Sequence, residues 1–410
     1  MENIEDTLHE IRGYYYTSFY SIYLNGTYDA DLSRMTQKDQ GTLLHEYIHF
    51  LQNISTPWGI RLSSYIYSCM SDTLRKLMEQ DEVTIPVKIQ VDWTISQQIG
   101  SAWGTSKLTT PHAFIDWNKR IGLFIKEIEI KGIKYEIPVF TVTLNTGETE
   151  DLEIGGLVVM ETMSSLYQSL IDPNASHPDV PYNLIAKFCQ QYYPTLAADT
   201  RKLICLCYIS LFSTFPGAKL IDLIKQHGND NLDGYQVFQK FVQNTPDIVG
   251  AVDSLIERFK QLLKGMLHSN LDYLATVFDP VKLSSEWIPV VTALYDKEHF
   301  DLGHFQTMIS QIGMPYLHTS CGQYSFPNGI GKDNASLDLI ELIGLQTVYH
   351  YFRTPKGREC ECELSYMCRG ENKYDETRCK KIPWSRDVQC PFSAVASWFG
   401  LDKKVVKREQ

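Results

Sequence analysis

The sequence predicts an α+β protein that is mainly helical. Long stretches space their apolar residues three and four apart, as in Leu255, Ile256, Phe259, Leu262, Leu263, Met266 and Leu267, the period of a helix buried on one face. One region, from Leu123 to Ile154, alternates apolar and polar residues in the period of a strand. Hydrophobic residues make up 43% of the chain, enough for a sizeable core, and 410 residues predict more than one structural unit.

Taken in order, the aromatic and β-branched residues of 13–24 predict a strand, closed by the turn signal Asn25-Gly26. Thr36 reads as a helix N-cap, with Asp39 three residues on, so a helix is expected from about Gln37 to Asn53, ending before Pro57. Residues 60–80 read as a second helix. In the β-rich region, about 120–154, Phe124, Ile128 and Ile130 alternate with Glu127 and Glu129, and Lys131-Gly132 and Asn145-Thr146-Gly147 mark turns. Gly155-Gly156 opens a helix over Leu157 to Leu170. From about Pro181 the pattern is mostly helical, ending in a helix from Leu337 to Phe352 capped by Ser336. Residues 353–410 are more polar and rich in cysteine. Boundaries are expected near 180 and 353.

The net charge of −11 argues against a nucleic-acid partner, which needs clustered Lys and Arg. The short basic tail, Asp402 to Arg408, reads as a solvated terminus. The acidic start, Met1-Glu2-Asn3-Ile4-Glu5-Asp6, leads into no apolar leader. The longest charge-free apolar run lies between Lys202 and Lys219. It falls short of the roughly 20 residues of a membrane span, so it reads as a buried helix, with Cys205 and Cys207 in the core. Ten cysteines without a leader predict reduced thiols, a cytoplasmic location and no membrane partner.

The residues that carry chemistry are His45-Glu46-Tyr47-Ile48-His49. Two histidines four apart on a helix lie about 40° apart around its axis, so both imidazoles can reach one metal ion. The Glu between them can hold a metal-bound water. On a helical projection, Thr42, His45, Glu46, His49, Gln52 and Asn53 share one polar arc. Leu43, Leu44, Tyr47, Ile48, Phe50 and Leu51 face the other way. No charge follows Glu46 before Asn53, so the helix reads as buried with a narrow polar wedge. Catalytic zinc commonly has three protein ligands. The best third candidate is Glu161, the only carboxylate in an otherwise uncharged helical segment, where small Ser164 and Ser165 would allow close packing on the His45 helix. Glu153, Asp172 and His177 are alternatives.

On Leu44-His45-Glu46-Tyr47-Ile48-His49-Phe50-Leu51 the chain resembles the zincin metallopeptidases. The longer metzincin pattern fails, since Gln52 and Ser55 stand where Gly and His should, and the short-spaced gluzincin Glu is absent from Ser68-Cys69-Met70-Ser71-Asp72, so a gluzincin-like resemblance rests on Glu161 as the third ligand. It implies a zincin-like catalytic region over 1–180, with His45 and His49 as zinc ligands and Glu46 as general base. The activity it implies is hydrolysis of peptide bonds in a protein or peptide substrate. With Glu161 as ligand, residues 70–154 become an insertion. A donor for the developing oxyanion could come from Tyr295, His299, His304, His318, Tyr349 or His350. Two other readings stay open: a zinc hydrolase acting on a non-peptide bond, and a binding or scaffold protein with a structural or degenerate zinc site. The intact Glu46 favours catalysis.

Cys360, Cys362, Cys368, Cys379 and Cys390 cluster in the tail. Four of them could hold a second, structural zinc, though the spacing lacks paired C-x-x-C units.

Overall fold

The computed structural model describes residues 13–16, 20–88, 93–110, 112–266, 288–296, 299–321, 324–325, 332–353, 375, 379 and 390–408. Over these the chain is mainly helical, with small sheets. The aromatic stretch expected as one strand is a hairpin. β1 (Gly13–Tyr16) and β2 (Ser21–Leu24) run antiparallel, with Tyr16 opposite Ser21. Tyr20 takes a φ of 50°, a backbone turn that its aromatic side chain does not advertise.

Helix α1 (Gln37–Ser55) begins as expected. Thr36 Oγ1 accepts from the Asp39 backbone N–H at 3.1 Å, satisfying one of the donors a helix start leaves orphaned. Thr56 then caps α2 (Pro57–Glu79) by accepting from Gly59 N–H at 3.1 Å. Pro57 suits the first helical position, where its missing N–H costs nothing. Helix α1 is buried from Gly41 to its end. Leu44, Ile48 and Leu51 are at most 1% exposed, each contributing about 1.5–3 kcal/mol by leaving water.

After β3 (Glu82–Ile85) and α3 (Trp93–Trp103) comes the expected β-rich region, an antiparallel meander of β4 (Gly122–Ile130), β5 (Ile133–Thr143) and β6 (Thr149–Glu153). Lys131 and Gly132 form its first turn, with φ of 50° and 77°, the left-handed pair of a two-residue hairpin loop. Helix α4 (Gly156–Ile171) follows and packs against α1. Its first residue, Gly156, also lies close to the start of α2, where a Cβ would sit 2.4 Å from the buried indole of Trp58.

Downstream, α5 (Leu184–Tyr192), α6 (Pro194–Ala197), α7 (Thr200–Ser210), α8 (Pro216–His227), α9 (Gly234–Asn244) and α10 (Ile248–Lys264) follow in turn. The apolar run between Lys202 and Lys219 is therefore two helices, because Pro216 starts a new one. Cys205 and Cys207 are fully buried as expected. After α11 (Ile288–Tyr295) and α12 (Leu302–Ile312), β7 (Tyr316–Thr319) pairs parallel with β2, placing His318 beside Tyr23, and β8 (Tyr324–Ser325) completes that sheet. Helix α13 (Lys332–Arg353) begins four residues before Ser336, which lies inside the helix and does not cap it. Among the described residues, one hydrophobic cluster runs from Tyr15 to Leu401.

After α14 (Pro391–Trp398), the basic tail is not simply solvated. Its β9 (Val405–Arg408) pairs parallel with β3. Lys404 Nζ donates to the carbonyls of Met78 and Gln80 at the end of α2, at 3.1 and 2.6 Å, where helix carbonyls lack partners. Of the cysteine cluster, Cys360, Cys362 and Cys368 lie outside the described residues. Cys379 is buried, and neither it nor Cys390 is in a disulfide. Among the described residues no helix is long and apolar enough to cross a membrane.

Two glycine substitutions test this packing in opposite directions. Gly156→Ala should cost about 1–3 kcal/mol, because the rigid Trp58 ring must move. Gly100→Ala, in α3 with open space around its Cβ position, should instead stabilise by roughly 0.5–1 kcal/mol. Urea unfolding of both variants checks the pair, and equal effects would contradict the close α4 approach.

Candidate metal centre

His45 and His49 leave α1 on the same side, and Glu161 reaches them from α4. Their atoms form a nearly equilateral triangle. His45 Nε2 and His49 Nε2 are 3.2 Å apart, His49 Nε2 and Glu161 Oε2 are 3.2 Å apart, and His45 Nε2 and Glu161 Oε2 are 3.3 Å apart. The three side chains are 7%, 10% and 16% exposed. No other group of three or more His, Cys, Asp or Glu donor atoms closes up in this way among the described residues. A tetrahedral ion with bonds of about 2.0–2.1 Å keeps its ligands about 3.3 Å apart, so the triangle is close enough to hold one. Two nitrogens and one oxygen suit a first-row transition ion better than calcium or magnesium, which prefer oxygen alone.

Helix geometry explains half of this arrangement and packing the other half. The histidines are one helical turn apart, so α1 pairs them without help. Glu161 depends on the α1–α4 contact. There Ser164 is fully buried, as expected of a small residue at a close crossing, while Ser165 is half-buried.

The charges depend on each other. Burial works against the Glu161 carboxylate, but His49 and His45 hold its pKa well below the usual range by charge and hydrogen bonding. Burial also opposes charge on His49. Here the Glu161 carboxylate outweighs it by charge and hydrogen bond, and the pKa is lifted to about 9. Without a cation, a proton holds the triangle together.

Glu46 lies beside the triangle, not in it. Burial pushes its carboxyl above the usual range, against the opposing pull of His45 and His49. Strand β1 closes over it, and the Tyr15 backbone N–H donates to its carboxylate. Only glycine lets the strand come so close: a Cβ on Gly13 would lie 2.7 Å from Thr42 Cγ2 and 3.0 Å from Glu46 Oε1.

Two aromatic rings wall the other side. His177 stacks on His45 at 5.4 Å and on Tyr182 at 4.7 Å between ring centroids, and its Nε2 lies 2.9 Å from Gln168 Oε1. Burial, with Glu161 and Glu46 adding, pushes the Tyr182 phenol pKa far up. Thr162 Oγ1 donates to the Tyr182 carbonyl at 3.4 Å, tying this residue to α4. Sequence reasoning missed Tyr182. It sits in a short irregular turn, Asp179–Asn183, and only the return of the chain past α4 brings it to the site.

The alternatives to Glu161 lie elsewhere or play other parts. Glu153 pairs with Lys126 at 2.6 Å, Asp172 accepts from Asn174 N–H at 3.2 Å, and His177 stacks as described. Of the six residues considered as oxyanion donors, Tyr295 accepts from Gly234 N–H at 3.0 Å. His304 Nδ1 meets Asp301 in the cap of α12, and His318 packs with Tyr23 and Tyr316. Tyr349 packs on His350, and His299 and His350 are exposed.

No family model, curated protein or solved structure matches this chain.

The raised pKa of His49 sets a pH dependence. Below about 9 a proton occupies His49 in the metal-free protein and must leave when a cation enters. Uptake at pH 7 should therefore release about one proton from this group, and affinity should rise about tenfold per pH unit until near pH 9. Calorimetric titrations in buffers of different ionisation enthalpy measure both. An affinity independent of pH between 6 and 8 would contradict the shared-proton picture.

Proposed function

We propose that this chain is a zinc-dependent peptidase of the gluzincin type that cleaves a protein or peptide substrate. His45, His49 and Glu161 are its zinc ligands and Glu46 its general base. The observation that carries this reading is the buried triangle with a second, non-ligating carboxylate beside it. A structural metal site has no use for Glu46, whose burial costs stability that a catalytic role would account for. The resemblance of residues 44–51 to zincins supports the same assignment. The proposed setting is the cytoplasm, where ten cysteines stay reduced.

When bound there, zinc polarises the scissile carbonyl and lowers the pKa of a water toward about 7. Glu46 accepts the proton of that water and returns it to the leaving nitrogen. A carboxylate whose pKa lies above the ordinary range is better matched to both transfers. The Tyr15 N–H fixes the direction of that carboxylate. Tyr182 stays neutral at working pH and donates a hydrogen bond to the carbonyl oxygen as negative charge grows there. His177 stacks between His45 and Tyr182 and so holds the Tyr182 ring near the triangle.

Glu46→Gln separates binding from catalysis. The variant keeps nearly the same volume but cannot accept a proton. It should retain wild-type zinc content and melting temperature while cleavage of a proteome-derived peptide library falls by about 10²–10⁴-fold. Tyr182→Phe should lower kcat by about 10²-fold or more with zinc retained. Undiminished cleavage by Glu46→Gln sinks the mechanism. Zinc uptake with no cleavage of any peptide by the wild type would favour a non-peptide substrate.

A third substitution tests the ligand set itself. Glu161→Ala leaves two histidines, too few to hold zinc firmly. Plasma emission analysis should find its zinc lost, and a full zinc complement would remove Glu161 from the site.

A further inference from the structure

Gln52 lies three residues beyond His49 on α1 and is fully buried. Its Oε1 is 2.9 Å from His49 Nδ1. Its Nε2 is 3.0 Å from the Met160 carbonyl oxygen and 3.4 Å from Ser164 Oγ, both on α4. Ser164 Oγ is also 3.4 Å from His49 Nδ1.

The ends of this chain of bonds fix its direction. A backbone carbonyl oxygen can only accept, so the Gln52 group facing Met160 must be the –NH2. The group facing His49 is then the amide oxygen, which also only accepts. His49 Nδ1 must therefore carry a hydrogen and donate it. When the ring is neutral, its other nitrogen, Nε2, is the one with the free lone pair, and Nε2 is the atom in the triangle. The reversed amide would set two oxygens 3.0 Å apart in a buried place, with no hydrogen between them.

We infer that Gln52 is a positioning residue that sets two things at once. It holds His49 in the tautomer that presents Nε2 to the metal. It also ties α1 to the residue directly before Glu161, and so fixes the spacing of the third ligand. His45 has no equivalent: its Nδ1 finds no hydrogen-bond partner among the described residues, and its ring is held by stacking on His177. The two ligand histidines are thus oriented by different means: both meet Glu161, but Gln52 links His49 alone to the α4 backbone. This inference rests on the metal-site reading above and adds the group that orders it.

The test uses the full chain loaded with Zn²⁺ for affinity and with Co²⁺ for spectroscopy. Gln52→Met keeps the length of the side chain but neither donates nor accepts. Its Zn²⁺ affinity should fall about 10–100-fold relative to wild type, the usual effect of removing a partner that orients a ligand. In the Co²⁺ wild type, the Nδ1–H of His49 should give a paramagnetically shifted proton signal that exchanges slowly with water. In Gln52→Met that exchange should quicken, while the His45 signal keeps its wild-type rate. A Gln52→Met protein with wild-type affinity and wild-type exchange overturns the inference. If that variant does not fold, the wild-type spectrum decides: a His49 without a proton on Nδ1 overturns it equally. Wild-type protein that takes up neither ion overturns the metal-site reading and this inference together, whereas uptake with an indifferent Gln52 overturns this inference alone.

Discussion

Glu46 and Glu161 lie within electrostatic reach of each other in a part of the protein that water scarcely enters. Like charges in such a place repel and lose their hydration, so either one carboxyl keeps its proton or positive charge lies among them. That requirement organises the centre of the molecule. Helix α1 supplies Glu46 and both histidines, α4 supplies Glu161, and the positive charge is a proton on His49 or a cation in the triangle. Strand β1 contributes a backbone N–H to Glu46, stabilising its charged form where water cannot.

How far the site was legible in the sequence follows from how local each part is. The α1 pairing of His45 and His49 is a property of helix period, and Thr36 marked the start of that helix by ordinary cap chemistry. Glu161 could be singled out because one charge in an uncharged helical segment needs a reason to be there. The meander showed itself through alternation and through Lys131-Gly132. What escaped depended on pairing between distant segments. The first hairpin turns at Tyr20, a residue with no turn preference. β7 reads as helical surroundings until it is seen lying along β2, and β9 is a strand only because β3 offers it an edge. Tyr182 escaped for the same reason, since nothing in its own neighbourhood marks it and the return of the chain past α4 brings it to the site.

The meander also supports the site at one remove. Ile115, which bridges to Leu144 at the base of the meander, donates its N–H to Asp179 Oδ2 at 3.1 Å, and Trp117 Nε1 donates to Asp179 Oδ1 at 2.9 Å. Asp179 lies two residues after His177 and three before Tyr182. Both oxygens of this carboxylate are therefore used to hold the turn that presents the aromatic wall. Residues 70–154, expected as an insertion, thus brace the segment opposite α1.

The three candidate ligands come from two helices that are far apart in sequence, so their meeting is a consequence of the fold and not of local structure. A cation that binds only the assembled site adds its binding free energy to the stability of the α1–α4 pair. At a thousandfold excess over Kd that is about 4 kcal/mol, a large fraction of the 5–15 kcal/mol typical of a folded domain. Two features reduce the gain here. His45 and His49 are four residues apart in any state of the chain, so the unfolded chain keeps part of the affinity. The metal-free site is not without compensation either, because the Glu161 carboxylate favours a protonated His49 beside it. Exchanging that proton for a cation changes how firmly α1 and α4 are joined more than whether they meet. Such a site would not depend on its metal to fold.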